Sequence, residues 1–452
     1  MPASDSGPGG GYFLSWRVGD QPMRGIAIDP GFDFLSNFQA VGLEPWAVDA
    51  VIITHSHIDH IRDLESLMTQ RYERNDTIER LNLEDPQTPG LDLFLSLDTF
   101  HKAGVLIDAQ SNKTVAKDKI RILTPDSTLD LRDRGYGLTI EVLSADHRSR
   151  SDLWLSHAVS LIFHLYEGDE EVARIGLTSD SRPMEAHRKA FRDCHLVVAH
   201  LGTIDFHNLL GLSELGMDAQ VEASLAEWND GIYRNDHDRA MLRLLLGLDD
   251  EELKKAAQKE ATVIPPELRK AASGGSTPPK EIEESALRLL FSGDERFAET
   301  MHRSAHLQYR GLHDVFAGAF LEGSRTRLGI ISEFGLELGA LRHKISDSLN
   351  FALFGHEDGD DRGRIVTGDI GLQIRLSSDP ETCPRGQACD SCPGRDDSTL
   401  LKIQCTNCKR FFPPSCITDI CVRSRQQAIR YNCLDCRETE YSPDLPLISY
   451  HG

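Results

Sequence analysis

Ten residues constrain this chain more than any others: Val51-Ile52-Ile53-Thr54-His55-Ser56-His57-Ile58-Asp59-His60. The apolar, β-branched start reads as a buried strand, and it breaks into a turn dense with metal-binding side chains. Three imidazoles and a carboxylate within six residues are poor core filling, because buried polar groups need partners and buried charges cost most. Imidazole and carboxylate suit Zn, Mn or Fe, so the physical reading is a clustered metal site. Alternate spacing lets His55 and His57 point the same way from an extended segment, and Asp59 and His60 can then face a second ion. The competing reading is a solvated histidine-rich loop, against which stands the apolar strand that delivers the cluster.

Composition narrows the field. A chain of 452 residues has room for two or three domains, and 40 % hydrophobic content supports a core. A net charge of −22 disfavours indiscriminate attraction to nucleic acid or anionic membranes. It leaves a phosphate-bearing substrate open, since bound cations can dominate the local field. Apolar runs stay short of the ~20 residues a membrane helix needs, and Met1–Asp20 lacks a basic-then-apolar leader pattern. The expectation is a cytoplasmic protein with no membrane partner. Nine of the ten cysteines follow residue 382, which in a reducing compartment reads as zinc binding rather than a disulfide framework.

The pattern His-x-His-x-Asp-His after a strand, with Arg24-Gly25-Ile26-Ala27-Ile28-Asp29-Pro30-Gly31 before it, resembles the signature of the metallo-β-lactamase-fold hydrolases. One departure is Asp63, where many members carry Gly. The resemblance implies an α/β fold, an αββα sandwich with metal-binding loops along one edge. Along the chain, a helix is expected from about Arg62 to Tyr72, then a polar loop over Asn75–Gly90. Leu91–Leu97 and Gly104–Ile107 read as a strand, helix and strand, Leu138–Leu143 as a strand ending at Asp146-His147, and Arg364–Val366 with Leu372–Leu376 as strands that would complete the second sheet. The helical runs between 205 and 301 form an insertion, either a lid, a dimerisation surface or a spacer. The expected domains are 11–204 and 302–380 for the two parts of the hydrolase fold, 205–301 for the insertion and 381–452 for a small zinc-binding unit. Oligomeric state is left open.

The same resemblance implies a ligand set. His55, His57 and His147 would hold one ion; Asp59, His60 and His306 would hold the other, and Asp180 would bridge them. His157 rivals His147, and His302 and His313 compete with His306. Ser179 stands where the family's Gly-Asp-Thr motif has Gly, and His164 reads as a structural histidine inside a strand. A pair of cations lowers the pKa of a shared water and neutralises charge developing on the substrate. Asp59 would orient that hydroxide, and His200 is a candidate to protonate the leaving group, with a site-lining or structural role left open; Glu333 ends a strand and could reach the site, a surface role being preferred. Zinc is favoured, with Mn or Fe possible. A phosphodiester, in nucleic acid or a nucleotide, is the first-choice substrate, and a lactone, thioester or other acyl compound is the rival. A non-catalytic scaffold that displays the tail to a protein partner is the reading from another class.

In the tail the spacing is Cys389-x2-Cys392-x12-Cys405-x2-Cys408-x7-Cys416, then Cys433-x2-Cys436. Two such pairs make a closed tetrahedral zinc site. The pattern resembles a PHD-type or RING-like finger, with Pro413 where a His is expected. That resemblance puts Cys389, Cys392 and Cys416 with Cys421 or Cys383 at one ion, and Cys405, Cys408, Cys433 and Cys436 at another. A zinc ribbon of Cys389, Cys392, Cys405 and Cys408 is the alternative. Nine Lys/Arg against eight Asp/Glu from Cys383 onward argue against a strong DNA-binding finger. A protein-interaction module, or a clamp on the hydrolase domain, fits better.

Overall fold

The unbroken apolar run before the histidines forms a strand buried along its whole length, and the sandwich is built outward from it. In this computed structural model the described residues are 10–17, 20, 22–83, 90–110, 119–147, 158–202, 307–321, 323–333, 345–346, 349–350, 353–354, 363–369, 372–376, 401–414, 417–421 and 429–433. The first sheet has the order β1 (Tyr12–Trp16), β2 (Arg24–Ile28), β3 (Ala50–Ile53), β4 (Asp92–Ser96) and β5 (Ile120–Leu123). Strands β2 to β5 are parallel, and β1 joins β2 antiparallel. Parallel strands buried on both faces carry continuous apolar sequence, which is what Ala50–Ile53 shows.

The second sheet contains β6 (Ser127–Asp130), β7 (Leu138–Ser144), β8 (Val159–Glu167), β9 (Glu170–Leu177), β10 (Leu196–His200), β11 (Leu328–Ser332) and β12 (Arg364–Thr367). Its order is β12-β11-β10-β9-β8-β7-β6. Strands β9 to β12 are parallel, while β6 to β9 meander antiparallel. Thus β7, β9, β10 and β11 all run the same way and end at one edge, where the polar loops lie.

Alternation sorts the side chains. Ile26, Ile28, Ala50, Ile52 and Phe94 meet Ile140, Phe163, Ile175, Val198 and Ile330 in one core between the sheets. The opposite face of the first sheet, with Ala27, Val51, Ile53, Leu93 and Leu95, packs on α1 (Phe34–Ala40), α3 (Leu64–Leu81) and α4 (Leu97–Gln110). On the second sheet's outer side lie α5 (Glu185–Ala190) and α6 (Gln308–Ala319). Gly329 makes room there for the buried Phe316 ring, which a Cβ would meet at 2.7 Å. Truncating a ring buried like this to alanine costs roughly 3–5 kcal/mol.

Three local expectations are corrected. The helix after the metal loop runs on to Leu81, where Asn82 in the left-handed conformation ends it; polar Asn75–Arg80 are adequate helix formers, and Ile78 buries against the fold. Gly104–Ile107 is no strand but lies inside α4. The strand β13 (Ile374–Leu376), expected to complete the second sheet, pairs instead with β14 (Leu401–Gln404), and β14 with β15 (Phe411–Phe412). A hairpin of β16 (Ile417–Cys421) and β17 (Ile429–Cys433) follows. Strand pairing therefore crosses residue 380. The helical insertion expected at 205–301 lies outside the described residues. No described helix is long and apolar enough to cross a membrane.

Candidate metal centre

β3 leads into Thr54, whose amide and hydroxyl both donate to Asp29 just after β2, at 2.7 and 2.6 Å. Below this junction Gly31 packs so closely that a Cβ would sit 1.5 Å from the Asp59 carbonyl oxygen. Only glycine lets the β2 turn pass under the loop. The short helix α2 (Ile58–Ile61) then carries Asp59 and His60. Asp63, the residue that departs from the family pattern, has φ −91° and needs no glycine. Its carboxylate accepts from the Leu35 amide at 2.9 Å, tying α1 to the helices that follow the metal loop.

The sequence-predicted ligands from three segments meet at this edge. His55 Nε2 lies 3.2 Å from His57 Nδ1, which lies 3.0 Å from His147 Nε2. Asp180 Oδ2 is 3.6 Å from both His55 Nε2 and His147 Nε2, and 3.5 Å from His60 Nε2. Tetrahedral bonds of about 2.0–2.1 Å place donor atoms about 3.3 Å apart, so these separations are those of a ligand shell. Asp29, His55 and His60 form an adjoining group of the same kind. Imidazole nitrogens facing one another at these distances need a shared proton or a cation between them. The donor set fits a metal ion.

Hydrogen bonds fix which nitrogen of each ring faces inward. His60 Nδ1 donates to Asp29 Oδ2 at 3.2 Å, since a carboxylate only accepts, and Nε2 is left for the site. His55 Nδ1 lies 3.2 Å from Thr54 Oγ1; that hydroxyl donates to Asp29, so it accepts from the ring and frees Nε2. Ser179 also donates to Thr54 Oγ1, at 2.6 Å. Ser179 has φ +53°, the left-handed region that favours the glycine of the family motif. Its hydroxyl is part of the mesh that bridges the two sheets.

Asp180 is held from behind. His200, fully buried at the end of β10, donates from Nδ1 to Asp180 Oδ1 at 3.0 Å, which turns Oδ2 toward the histidines. His200 Nε2 lies 2.9 Å from Tyr12 Oη, which lies 2.5 Å from Ser332 Oγ. Burial raises the Tyr12 phenol well above its ordinary value, and the Glu333 charge adds to this. Burial, reinforced by His60, pushes His55 well below the usual imidazole range, which favours the neutral form a ligand needs. Burial also opposes charge on His60, but Asp180 and Asp29 outweigh it and raise that imidazole well above its usual range.

Other expected residues fall in different places. Asp59 is 54 % exposed at its side chain, with Oδ2 3.9 Å from His60 Nε2. His164 pairs with Glu171 at 2.9 Å on the β8–β9 hairpin. His313 sits on α6 beside Asp314. Glu333, read from sequence as a surface residue, is half-buried with φ +51°; burial raises its carboxyl, and His200, His60, Asp180 and Asp59 all act on it. His157, His302 and His306 lie outside the described residues, as do Cys383, Cys389, Cys392, Cys416 and Cys436. Of Cys421 only its place in β16 is described, while Cys405, Cys408 and Cys433 form a second metal-capable group. Sequence reasoning passed over Asp29 and Tyr12. The first had a signal, an acidic residue closing an apolar strand; Tyr12 had none.

Comparison with known proteins agrees with this architecture. Residues 24–226 match the family described as the Beta-lactamase superfamily domain. Among solved structures, the metallo-β-lactamase fold protein YhfI from Bacillus subtilis is 11 % identical, with TM-score 0.42, over 80 % of this chain and 90 % of that one. A long form RNase Z from yeast is 12 % identical, with TM-score 0.38, over 72 % of this chain and 35 % of its own. Igni18, a metallo hydrolase from the archaeon Ignicoccus hospitalis KIN4/I, is 10 % identical, with TM-score 0.33, over 80 % and 97 %. No curated protein matches the chain. The family match runs through the first histidine cluster, His147, Asp180 and His200, so residues 24–226 are similar to a β-lactamase superfamily domain, and the described residues have the metallo-β-lactamase fold.

Proposed function

We propose that the chain is a metal-dependent hydrolase with a dinuclear centre, acting on a phosphodiester. The observation that carries this reading is the convergence of His55, His57, His147 and Asp180, drawn from three separate loops, on one point beside His60 and Asp29. Three imidazoles and Asp180 would hold one ion, and His60, Asp59 and Asp180 would contribute to a second. Zinc suits the nitrogen-rich donors best, and Mn or Fe can replace it. When bound, such ions supply a nucleophilic water at neutral pH and neutralise charge on the reacting group.

The chain's own residues do the rest. Asp29 and Thr54 orient His60 and His55 through their second ring nitrogens. His200 holds Asp180, with Tyr12 and Ser332 behind it, so Asp180 Oδ2 keeps its aim toward the histidines. Asp59, whose side chain is exposed, would accept a proton from the attacking water. His200 has both ring nitrogens engaged, which favours positioning Asp180 over donating to a leaving group.

The test is hydrolysis of a chromogenic phosphodiester beside a chromogenic lactone, each with Zn2+ or Mn2+ added. Turnover of the phosphodiester that Asp59→Ala abolishes while the protein stays folded supports the proposal. Turnover of the lactone alone moves the substrate to the acyl class. A folded protein inert on both, with metal bound, would leave a scaffold.

A further inference from the structure

The tail carries a second, chemically different cluster. Cys405 follows β14, Cys408 lies in the turn after it and Cys433 ends β17. Lys409, at φ +60°, turns the chain back so that its amide donates to the Cys405 carbonyl at 3.0 Å, and the Cys405 amide donates to Arg410 at 2.8 Å. This loop presents two sulfurs on one side. Cys433 meets them from the other strand, its Sγ 3.9 Å from Cys408 Sγ and its amide donating to Cys405 Sγ at 3.4 Å. Tetrahedral Zn–S bonds of about 2.3 Å set sulfurs about 3.8 Å apart, whereas a disulfide needs ~2.05 Å. All three thiols are unbridged, and thiolate donors select a borderline-soft divalent ion.

Where this cluster sits gives it a role. Leu401, Ile403, Phe412, Ile417 and Tyr431 belong to the same continuous core as Val198, Ile330 and Val366 of the second sheet. The Tyr431 phenol donates to the Thr367 carbonyl at the end of β12. Its backbone exchanges hydrogen bonds with Thr406, inside the cysteine turn. Among the described residues β12 is an edge strand of the second sheet, and an exposed edge invites wrong pairing unless something covers it. Next to it on β11, Ile331 pairs with Thr367, and Ser332 follows.

We propose that Cys405, Cys408 and Cys433 bind a Zn2+-class ion that fastens strands β13 to β17 onto the edge of the second sheet, making the cysteine-rich segment a brace of the sandwich. A unit this small buries too little apolar surface to fold alone, so the binding energy of the ion is folding energy. Through Tyr431 and the β13–β14 pairing, that energy reaches β12 and then β11. The thiolate site stands independently of the histidine centre.

The experiment uses the full chain and Co2+ as probe. Cobalt bound by thiolates gives a near-ultraviolet charge-transfer band that imidazole and carboxylate ligands do not, so the two centres are read separately. Amide hydrogen exchange at Ile365–Thr367 and Ile330–Ser332 reports the brace. The wild type should show the band; Cys408→Ser with Cys433→Ser should lose it and speed exchange there by about tenfold or more. Tyr431→Phe should keep the band and speed exchange by about fivefold, the loss expected for one hydrogen bond. No band in the wild type overturns the site. A lost band with unchanged exchange overturns the brace and leaves a free-standing finger. Should the double variant fail to fold, Tyr431→Phe decides, and unchanged exchange there contradicts the proposal.

Discussion

The histidine centre and the cysteine cluster differ in donors, in exposure and in what surrounds them. The first is assembled from loops of both sheets and keeps a solvent-facing side, at half-buried His57 and exposed Asp59. The second is built from one turn and the end of β17, with Cys405 and Cys433 buried in the core. Open sites with nitrogen and oxygen donors suit substrate access, and closed thiolate sites suit structure. The comparison teaches that exposure and second hydrogen bonds, more than ligand count, separate a reactive centre from a brace.

The largest effect expected is at Asp180. Asp180→Ala removes the carboxylate shared by His55, His60 and His147. Turnover should fall roughly a thousandfold or more, while the cobalt–thiolate band stays. Loss of that band together with activity would mean the two centres are one cooperative unit, breaking the contrast. Next comes Gly31→Ala, which forces a Cβ against the Asp59 carbonyl. We expect about 3 kcal/mol of destabilisation, read by denaturant unfolding. An unchanged midpoint would show that the metal loop is not wedged from below.

A third prediction supplies a pH baseline belonging to neither centre. His187 is buried, with Nε2 shared between Ser160 Oγ and the Ser144 carbonyl and Nδ1 unpartnered among the described residues. Burial pulls its pKa down to about 4. Folding therefore favours the neutral ring: the contribution is complete above pH ~6.5, the unfolded value, and is lost as pH falls toward 4. Stability should drop by up to about 3 kcal/mol across that window, and His187→Gln should flatten the slope by that amount in metal-free protein. A slope unaltered by the substitution would place the titration elsewhere. The smallest effect is Tyr12→Phe, which removes the hydroxyl beside His200 Nε2. Affinity at the histidine centre should fall about 10–100-fold with little change in the thiolate band. An unchanged affinity would remove Tyr12 from the support of Asp180.

How much of this was legible follows from distance along the chain. His55, His57, Asp59 and His60 are contiguous, and the strand ahead of them announces itself by burial pattern. His147 and Asp180 were implied by the family resemblance, each following a strand whose alternation or apolar run is plain. Tyr12 was invisible, because its partners His200 and Ser332 lie 188 and 320 residues away. Asp29 was read only as part of a turn, although a carboxylate closing a buried strand needs a partner. The strand Ile374–Leu376 was found, but alternation fixes a strand's face and not its neighbour, so its pairing with Leu401–Ile403 went unseen. Ser179 and Asp63 looked like defects in a motif, and three-dimensional contacts supply their reasons.

The central claim is that His55, His57, His147 and Asp180 bind metal apart from the cysteines. X-ray absorption at the zinc edge of the full, zinc-loaded chain tests it most directly. The account predicts two shells, nitrogen or oxygen at about 2.0–2.1 Å and sulfur at about 2.3 Å, with the first alone diminished in His147→Ala/Asp180→Ala. A shell of sulfur only, or a spectrum that this double substitution leaves unchanged, would contradict it.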